Sequence, residues 1–340
     1  MTHSAAINAS KPCFLVSLDF ELFWGLKDHV RLEDYSENLL GVRKAIPGML
    51  SLFRQYGVHA TWATVGMLFY ENRDQLFDAL PSLKPAYVQS HLSNYSHLSD
   101  VGENEDSDPF HFGASLIRKI LDTPSQELAT HTFSHYYCLE AGQTVETFRA
   151  DLVAAVQAAK RFGVTLKSIV FPRNQSNPLY LRACSDAGLV AYRGNAPHFL
   201  YRPNSSAKEK RSYIKRGLRL ADNYAPIADI GPQSPSHNSE GMLDIPASRF
   251  LRPYSRRLRR FEHLRLHRIQ NELEVAARSR SLYHLWWHPH NFGINTTENL
   301  SFLERILEKV AALRDTYGMT CPSMAELAAE TISHSAAGAK

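Results

Sequence analysis

The chain has 340 residues, is 44% hydrophobic and carries a formal net charge of +4. This composition supports one large domain or two small ones, and so weak a positive charge does not favour nucleic acid as a partner. Residues 1–11 are polar, without the apolar segment of a signal peptide, and no apolar run approaches the roughly 18 residues of a membrane span. The four cysteines form no CxxC pair, which argues against a zinc knuckle or a redox dithiol and favours a reducing compartment. We therefore expect a cytoplasmic protein.

Two carboxylates follow the first predicted strand. After a disordered lead at residues 1–11, the apolar segment 14–18 predicts a strand that ends at Asp19 and Glu21. In an extended backbone, side chains at positions i and i+2 point the same way. The pair is therefore predicted to face one pocket at the carboxyl end of the strand, and a solvated acidic turn is the competing interpretation.

Strands and helices then alternate along the chain. Apolar runs predict strands at 58–65, 127–130, 166–171, 189–192, 243–246 and 282–287. Helical spacing of apolar residues predicts helices at 46–56, 75–80, 114–121, 145–162, 178–187, 256–280, 298–317 and 323–330. This alternation is typical of parallel strands joined by crossover helices. It fits a distorted (β/α) barrel and an open doubly wound sheet equally well.

Two irregular segments interrupt this alternation. Residues 81–112 have no periodicity, which is typical of a lid, a binding loop or a surface insertion. Residues 198–240 are rich in Pro, Ser, Asn, Lys and Arg, and we predict a second insertion that varies with substrate. The rest is predicted to form a single domain over residues 12–330, followed by a tail at 331–340.

The most specific motif is HTFSH, from His131 to His135, directly after the predicted strand 127–130. Two histidines four residues apart lie on one side of a helical turn, so both imidazoles can reach one metal ion. Such a pair alone is more often a surface or core feature than a metal site. A third, anionic ligand has to come from elsewhere, and the carboxylates after the first strand are the obvious source.

Together these segments resemble the polysaccharide deacetylases, carbohydrate esterase family 4. The matching pieces come in the family's order: the paired acids, HATWATVG at 59–66, HTFSH, IVFPRN at 169–174, MLDIP at 242–246 and LWWHPH at 285–290. The resemblance covers roughly residues 12–330. It favours an α/β fold built as a distorted (β/α) barrel of about seven parallel strands. In such barrels the active site lies at the carboxyl ends of the strands.

The resemblance implies a metal-dependent hydrolase that removes an N-acetyl group from an amino sugar in polysaccharide or surface-glycan biosynthesis. Its metal ligands would be Glu21, His131 and His135, and its general base Asp19. Phe20 separates the two acids, which are adjacent in the common family pattern, so their roles can be exchanged. Two nitrogens and one carboxylate favour zinc, with cobalt, iron, manganese or nickel as alternatives.

Further roles follow from the same resemblance. Arg173 is predicted to hold Asp19 ionised, with the register of this motif open by one residue. His288 is the predicted general acid, and His290 is its rival. Because side chains alternate along a strand, at most one of the tryptophans at 286 and 287 can face the site. The predicted sugar contacts are Trp24, Asn174, Trp287 and His290.

The segment from Arg252 to Arg268 contains seven arginines and part of an apolar face. One interpretation is a solvated helix face. The other is a surface for an anionic partner, such as a sugar nucleotide, a lipid pyrophosphate carrier or the membrane, which it would contact peripherally. The amino-sugar substrate can accordingly be free or linked to a carrier.

Two other functions fit these residues. An N-deformylase acting on a carrier-linked amino sugar would use the same site for a smaller acyl group. A non-catalytic, carbohydrate-binding member of the family belongs to a different class. The presence of two acids, two histidines, the arginine and the terminal histidine argues against it, because a protein without catalysis has no chemical need for all of them.

Overall fold

A computed structural model describes residues 11–196, 198–201, 213–225, 227–228 and 230–337, and these form one sheet of nine strands. The strands are β1 (Cys13–Phe20), β2 (Thr61–Thr64), β3 (Glu127–Thr130), β4 (Ser168–Ile169), β5 (Ala191–Gly194), β6 (Ser236–His237), β7 (Leu243–Pro246), β8 (Arg249–Phe250) and β9 (Leu282–Trp287). Their order is β6-β7-β5-β4-β3-β2-β1-β9-β8. All pairings are parallel except that of β6 with β7.

The sheet curls until its two ends meet. β7 pairs with β5, and β8, which begins three residues after β7 ends, pairs with β9. Between them, the amide of Ala247 donates to the carbonyl of Gly194 (3.0 Å) and the amide of Ser248 to that of His284 (2.9 Å). One short segment therefore joins both ends of the sheet. This arrangement confirms the predicted distorted (β/α) barrel and excludes the open doubly wound sheet.

Helices surround the sheet. They are α1 (Leu32–Tyr56), α2 (Arg73–Asp78), α3 (Ala114–Leu121), α4 (Val145–Lys160), α5 (Pro178–Asp186), α6 (Tyr213–Ala221), α7 (Glu262–Arg278), α8 (Thr296–Tyr317) and α9 (Met324–Ala337). The predicted first helix is too short, because α1 begins at Leu32 and continues through Pro47. It buries Val42 about one turn before the proline and Leu39 about two turns before it. The last helix is longer than predicted, since α9 extends to Ala337. Residues 1–10 of the predicted lead and residues 338–340 of the predicted tail lie outside the described residues.

Side chains of β1 alternate between two environments, as its extended backbone requires. Phe14, Val16 and Leu18 point outward and pack with the surrounding helices. Leu15 points inward and packs with residues of α9, including Met324. The amino end of α9 is fixed there because the amide of Met324 donates to Thr61 Oγ1 (2.9 Å). The amino-terminal end of the barrel is therefore apolar and closed, which leaves the carboxyl ends of the strands for a site.

The segment 81–112 contains two 3₁₀ helices, Ser90–Leu92 and Asn94–Asp100. The side chain of Asn94 donates to the carbonyls of Trp24 (2.8 Å) and Ser134 (2.9 Å). This segment therefore joins the loop after β1 to the loop after β3. Each helix in the described part of the chain is too short or too polar to cross a lipid bilayer.

Candidate active site

The carboxyl ends of the strands open into a cleft of about 1120 Å³. Asp19 and Glu21 enter it from the end of β1, the histidines of HTFSH from the loop after β3, and His288 from the residue after β9. Both carboxylates are almost fully buried. The inward face of β1 thus continues from apolar residues at the closed end of the barrel to two acids at the open end.

Glu21, His131 and His135 form a buried group whose ligand atoms all lie within 4.8 Å of one another. Glu21 Oε2 lies 3.4 Å from His131 Nε2 and 3.1 Å from His135 Nε2. His131 Nδ1 lies 2.8 Å from the carbonyl oxygen of Val170, which can only accept, so Nδ1 carries the hydrogen and Nε2 of the neutral ring offers a lone pair. Two imidazoles and one carboxylate directed at one point fit a divalent metal such as zinc. The structure therefore brings together the three predicted ligands.

The local structure of HTFSH differs from the prediction. Residues 131–135 form an irregular loop instead of a helical turn. Thr132 has φ 63° and His135 has φ 56°, both in the left-handed region that is costly for residues other than glycine. The two rings are therefore directed at Glu21 by bends in the backbone, and not by the spacing of a helix face.

Asp151 on α4 holds this loop. Its carboxylate accepts hydrogen bonds from the backbone amides of Phe133 (2.7 Å) and Ser134 (3.1 Å) and from the Ser134 hydroxyl. Burial raises the pKa of Asp151 to about 6. Sequence reasoning missed this residue, although an acid between apolar residues Phe148 and Leu152 on a helix face was a signal. Such buried acids occur where a fixed set of donors surrounds them.

Asp151→Asn is expected to weaken metal binding by about 10- to 100-fold, the usual range when a carboxylate that helps to orient metal ligands is removed. The amide would present NH₂ to donors that now face a carboxylate oxygen, and each lost buried hydrogen bond costs about 1–3 kcal/mol of unfolding free energy. Metal titration and urea denaturation measure the two effects. Asp186→Asn on the exposed side of α5 is the matched control, with little change expected. Unchanged metal affinity in Asp151→Asn would show that the loop does not depend on this carboxylate.

The arginine that pairs with Asp19 is Arg193, at an inward position of β5. Its Nη1 and Nη2 each donate to one carboxylate oxygen of Asp19 at 2.7 Å. Burial raises the pKa of Asp19, but the Arg193 guanidinium together with His131 and His288 holds that pKa below its ordinary value. Arg193 also donates to Asn174 Oδ1 (3.1 and 2.8 Å) and stacks on the Trp286 ring at 4.1 Å. This bidentate pair fixes the carboxylate in position.

The prediction that Arg173 pairs with Asp19 is therefore corrected. Arg173 has φ 53°, forms an ion pair with Asp28 and lies over the Tyr137 ring at 4.4 Å. The IVFPRN motif still contributes to the site through Asn174, which lines the cleft and accepts from Arg193. Arg193 itself lies one residue beyond the predicted strand 189–192. A charged residue at the end of an apolar strand is the signal that could have identified it.

His288 occupies the position predicted for a proton donor. Its Nε2 lies 3.8 Å from Asp19 Oδ2 and 3.7 Å from Glu21 Oε1, and 24% of its side chain is exposed to the cleft. His290 stacks on it at 4.9 Å, is buried, and has a pKa that burial lowers to about 3. His288 is therefore the better candidate for the general acid, because it lies near both carboxylates and is partly exposed, whereas His290 is buried.

Two of the predicted sugar contacts are wrong. Trp24 is buried beneath the cleft, and its Nε1–H donates to the carbonyl of His111 at 2.8 Å. Trp287 points away from the barrel interior and stacks on Phe292, with 5.5 Å between ring centroids. Alternation along β9 instead directs Trp286 into the cleft. His290 and Asn174 do line the cleft.

The basic segment does not form a single helix face. Arg252 lines the cleft, whereas Arg265 and Arg268 are bonded to acids within the fold. A 3₁₀ helix, Arg256–Phe261, then precedes α7, and its exposed arginines lie at 256, 257, 259 and 260. The predicted continuous basic surface is therefore divided into buried and exposed parts.

Residues 40–192 match the sequence model of the polysaccharide deacetylase family. This region of the chain belongs to the family. The matched region contains HTFSH and the loop around Arg173, and the barrel brings the carboxylates of β1 and the histidine after β9 to the same point. A comparison with curated proteins finds no match.

Solved structures show the same fold at low sequence identity. A protein from Mycobacterium smegmatis assigned as a polysaccharide deacetylase aligns with a TM-score of 0.60 and 14% identity, over 98% of this chain and 95% of that chain. A 4-alpha-glucanotransferase from Thermococcus litoralis gives 0.52 and 12%, over 95% and 40%. A GH57-type branching enzyme from Pyrococcus horikoshii gives 0.51 and 11%, over 93% and 70%. These likenesses concern the barrel alone.

Proposed function

We propose that this family member is a metal-dependent hydrolase that removes an N-acetyl group from an amino sugar in the biosynthesis of a polysaccharide or surface glycan. The observation that supports this most is the arrangement around one point of the cleft. A buried Glu–His–His group lies beside a second carboxylate held by Arg193 and a partly exposed histidine. Metal-dependent amide hydrolysis uses each of these parts: a metal site, a base and an acid.

In this proposal Glu21, His131 and His135 hold the metal, for which zinc is favoured. A divalent metal bound there would polarise the amide carbonyl and lower the pKa of water towards about 7. Asp19 accepts a proton from the attacking water. It can do so while paired with Arg193, because each carboxylate oxygen has two acceptor sites. His288 donates a proton to the amine as the C–N bond breaks, and acetate leaves.

The assay that tests this proposal measures the acid released from N-acylated amino sugars. We expect acetate release that stops with a chelator and returns when zinc is added, because the ligand set suits zinc. Asp19→Asn serves as the inactive control for contaminating activity. Formate release from N-formyl sugars alone would favour the deformylase. Sugar binding without any acid release by the metal-loaded protein would favour the non-catalytic function.

Peripheral membrane contact is a separate proposal, and it now depends on fewer residues. The side chains of Arg257, Arg259, Arg260 and Phe261 are exposed on the 3₁₀ helix before α7. Basic residues beside an exposed aromatic ring suit the surface of an anionic bilayer. A cytoplasmic location remains a prediction from the sequence.

A further inference from the structure

One wall of the cleft is rich in arginine. It is lined by Arg219, Arg249 and Arg252 together with Tyr201 and Asn223. The acids among the described residues that line the cleft lie elsewhere, at the end of β1 and in the loop after it, where Asp19 pairs with Arg193 and Asp28 with Arg173. We call the five residues the arginine wall.

The carboxylates behind the arginine wall are shared among several arginines. Asp222 pairs with Arg249 (3.4 Å) and Arg268 (3.1 Å), and it also accepts from the Tyr201 hydroxyl (2.6 Å). Glu272 likewise pairs with Arg249 and Arg268, and Glu262 pairs with Arg265. With Arg252, four arginines of the described part of the chain thus lie around three acids. Positive charges therefore outnumber negative ones among these side chains, and Arg252 lines the cleft.

Arg252 differs from its neighbours because its charge is not paired. Among the described residues its guanidinium makes no hydrogen bond or ion pair, although the side chain is half-buried. The carboxylate that acts on it is Glu262, and Glu262 is already bonded to Arg265. A half-buried cation without a partner has lost part of its hydration without compensation. An anion in the cleft would supply the missing partner.

The arginine wall lies close to the proposed proton donor. The ring of Phe250, at the end of β8, lies 5.8 Å from that of His288 and 4.7 Å from that of Trp286. Arg252 follows two residues later, so its Cα lies at most about 7 Å from that of Phe250. A group attached directly to a sugar at the reaction centre can therefore reach Arg252.

We propose that Arg252 and the adjoining arginine wall bind a phosphate group of the substrate, so that the substrate is an N-acyl amino sugar linked to phosphate rather than a neutral polymer. Arginine suits this function because its planar guanidinium donates paired hydrogen bonds to phosphate oxygens. The proposal deepens the proposed function and rests on it for the identity of the sugar. The phosphate belongs either to a soluble sugar phosphate or nucleotide, or to a lipid carrier.

Binding of inorganic phosphate to chelator-treated protein tests the subsite without catalysis or metal. Isothermal titration at low salt is expected to show binding that Arg252→Gln weakens about tenfold or more and Arg252→Lys weakens less. Arg257→Gln, on the exposed 3₁₀ helix outside the cleft, is the matched control and should bind as wild type does. Absence of binding by the wild type, or equal affinity in Arg252→Gln, would overturn the proposal.

Kinetics with matched substrates separate this proposal from the proposed function. For an N-acetylhexosamine 1-phosphate, Arg252→Gln should raise KM with little change in kcat, and the rise in KM should be much smaller for the neutral methyl glycoside. Equal effects on both substrates would refute the subsite while acetate release still supports the hydrolase. Loss of phosphate binding in Arg252→Gln, with no hydrolysis by wild type, would support the phosphate subsite and refute the hydrolase.

Substrates in which the sugar is linked to a nucleoside diphosphate or to a polyprenyl phosphate then identify the carrier. The natural form should give the highest kcat/KM.

Discussion

Asp19→Asn is expected to reduce acyl release by about 100-fold or more while the metal stays bound. Asparagine has the same shape but cannot accept the proton of the attacking water. Asp19 lies outside the Glu–His–His group, so the ligand set is unchanged. Single-turnover assays at saturating zinc, with metal content measured on the same samples, give both quantities.

Glu21→Gln is the informative comparison, because the two acids differ by one carbon and share one pocket. The geometry groups Glu21 with both histidines, so Glu21→Gln should lower metal content as well as activity. If Asp19→Asn loses the metal and Glu21→Gln keeps it, the two roles are exchanged. Thermal unfolding of both variants is also needed, since Asp19→Asn deprives the buried guanidinium of Arg193 of its charged partner.

Those parts of the site that depend on local sequence could be predicted. The alternation of β1 places Asp19 and Glu21 on the barrel interior, and the order of strands and helices predicts parallel pairing. Side-chain alternation and the type of each element are determined by a few neighbouring residues in the sequence. The tryptophans show the limit, because alternation predicts that one of two neighbours faces the cleft but not which one. That choice depends on the inward position of His284, whose Nε2 lies 2.8 Å from Ser17 Oγ on the neighbouring strand β1.

The parts that depend on contacts across the barrel could not be predicted. Arg193 and Asp19 lie on β5 and β1, which are separated by three other strands in the sheet, and only the curvature of the sheet brings their side chains together. Arg173 lies in the expected motif, but φ of 53° at this residue and its pairing with Asp28 direct it to another part of the cleft. The sequence around Arg173 alone does not show which arginine pairs with Asp19, because that pairing depends on residues far away in the sequence.

The histidine pair of HTFSH also shows why spacing alone is insufficient. The helical argument for two histidines four residues apart applies literally to His263 and His267, which are exposed together on α7. Within the part of the chain that the structure describes, no carboxylate completes a three-ligand group with those two histidines. His131 and His135 are not helical, yet they converge on Glu21 because Asp151 and the left-handed residues shape their loop. The anionic third ligand therefore discriminates between the pairs better than the spacing does.

His131→Ala combined with His135→Ala is expected to abolish metal binding. Purified wild type should contain about one equivalent of divalent metal, as a single three-ligand site requires. With both imidazoles gone, one carboxylate cannot retain the ion, and elemental analysis should find none above background. Stabilisation by zinc should disappear as well. Wild type should gain about 2.7 kcal/mol of unfolding free energy at a zinc concentration of 100 times Kd, and the double variant should gain none.

His263→Ala with His267→Ala is the matched control, because it removes an exposed pair of histidines with the same spacing. This control should retain one equivalent of metal and the stabilisation by zinc. Metal that survives the first double substitution, or is lost in the second, would show that the ion binds elsewhere and that the Glu–His–His assignment is wrong.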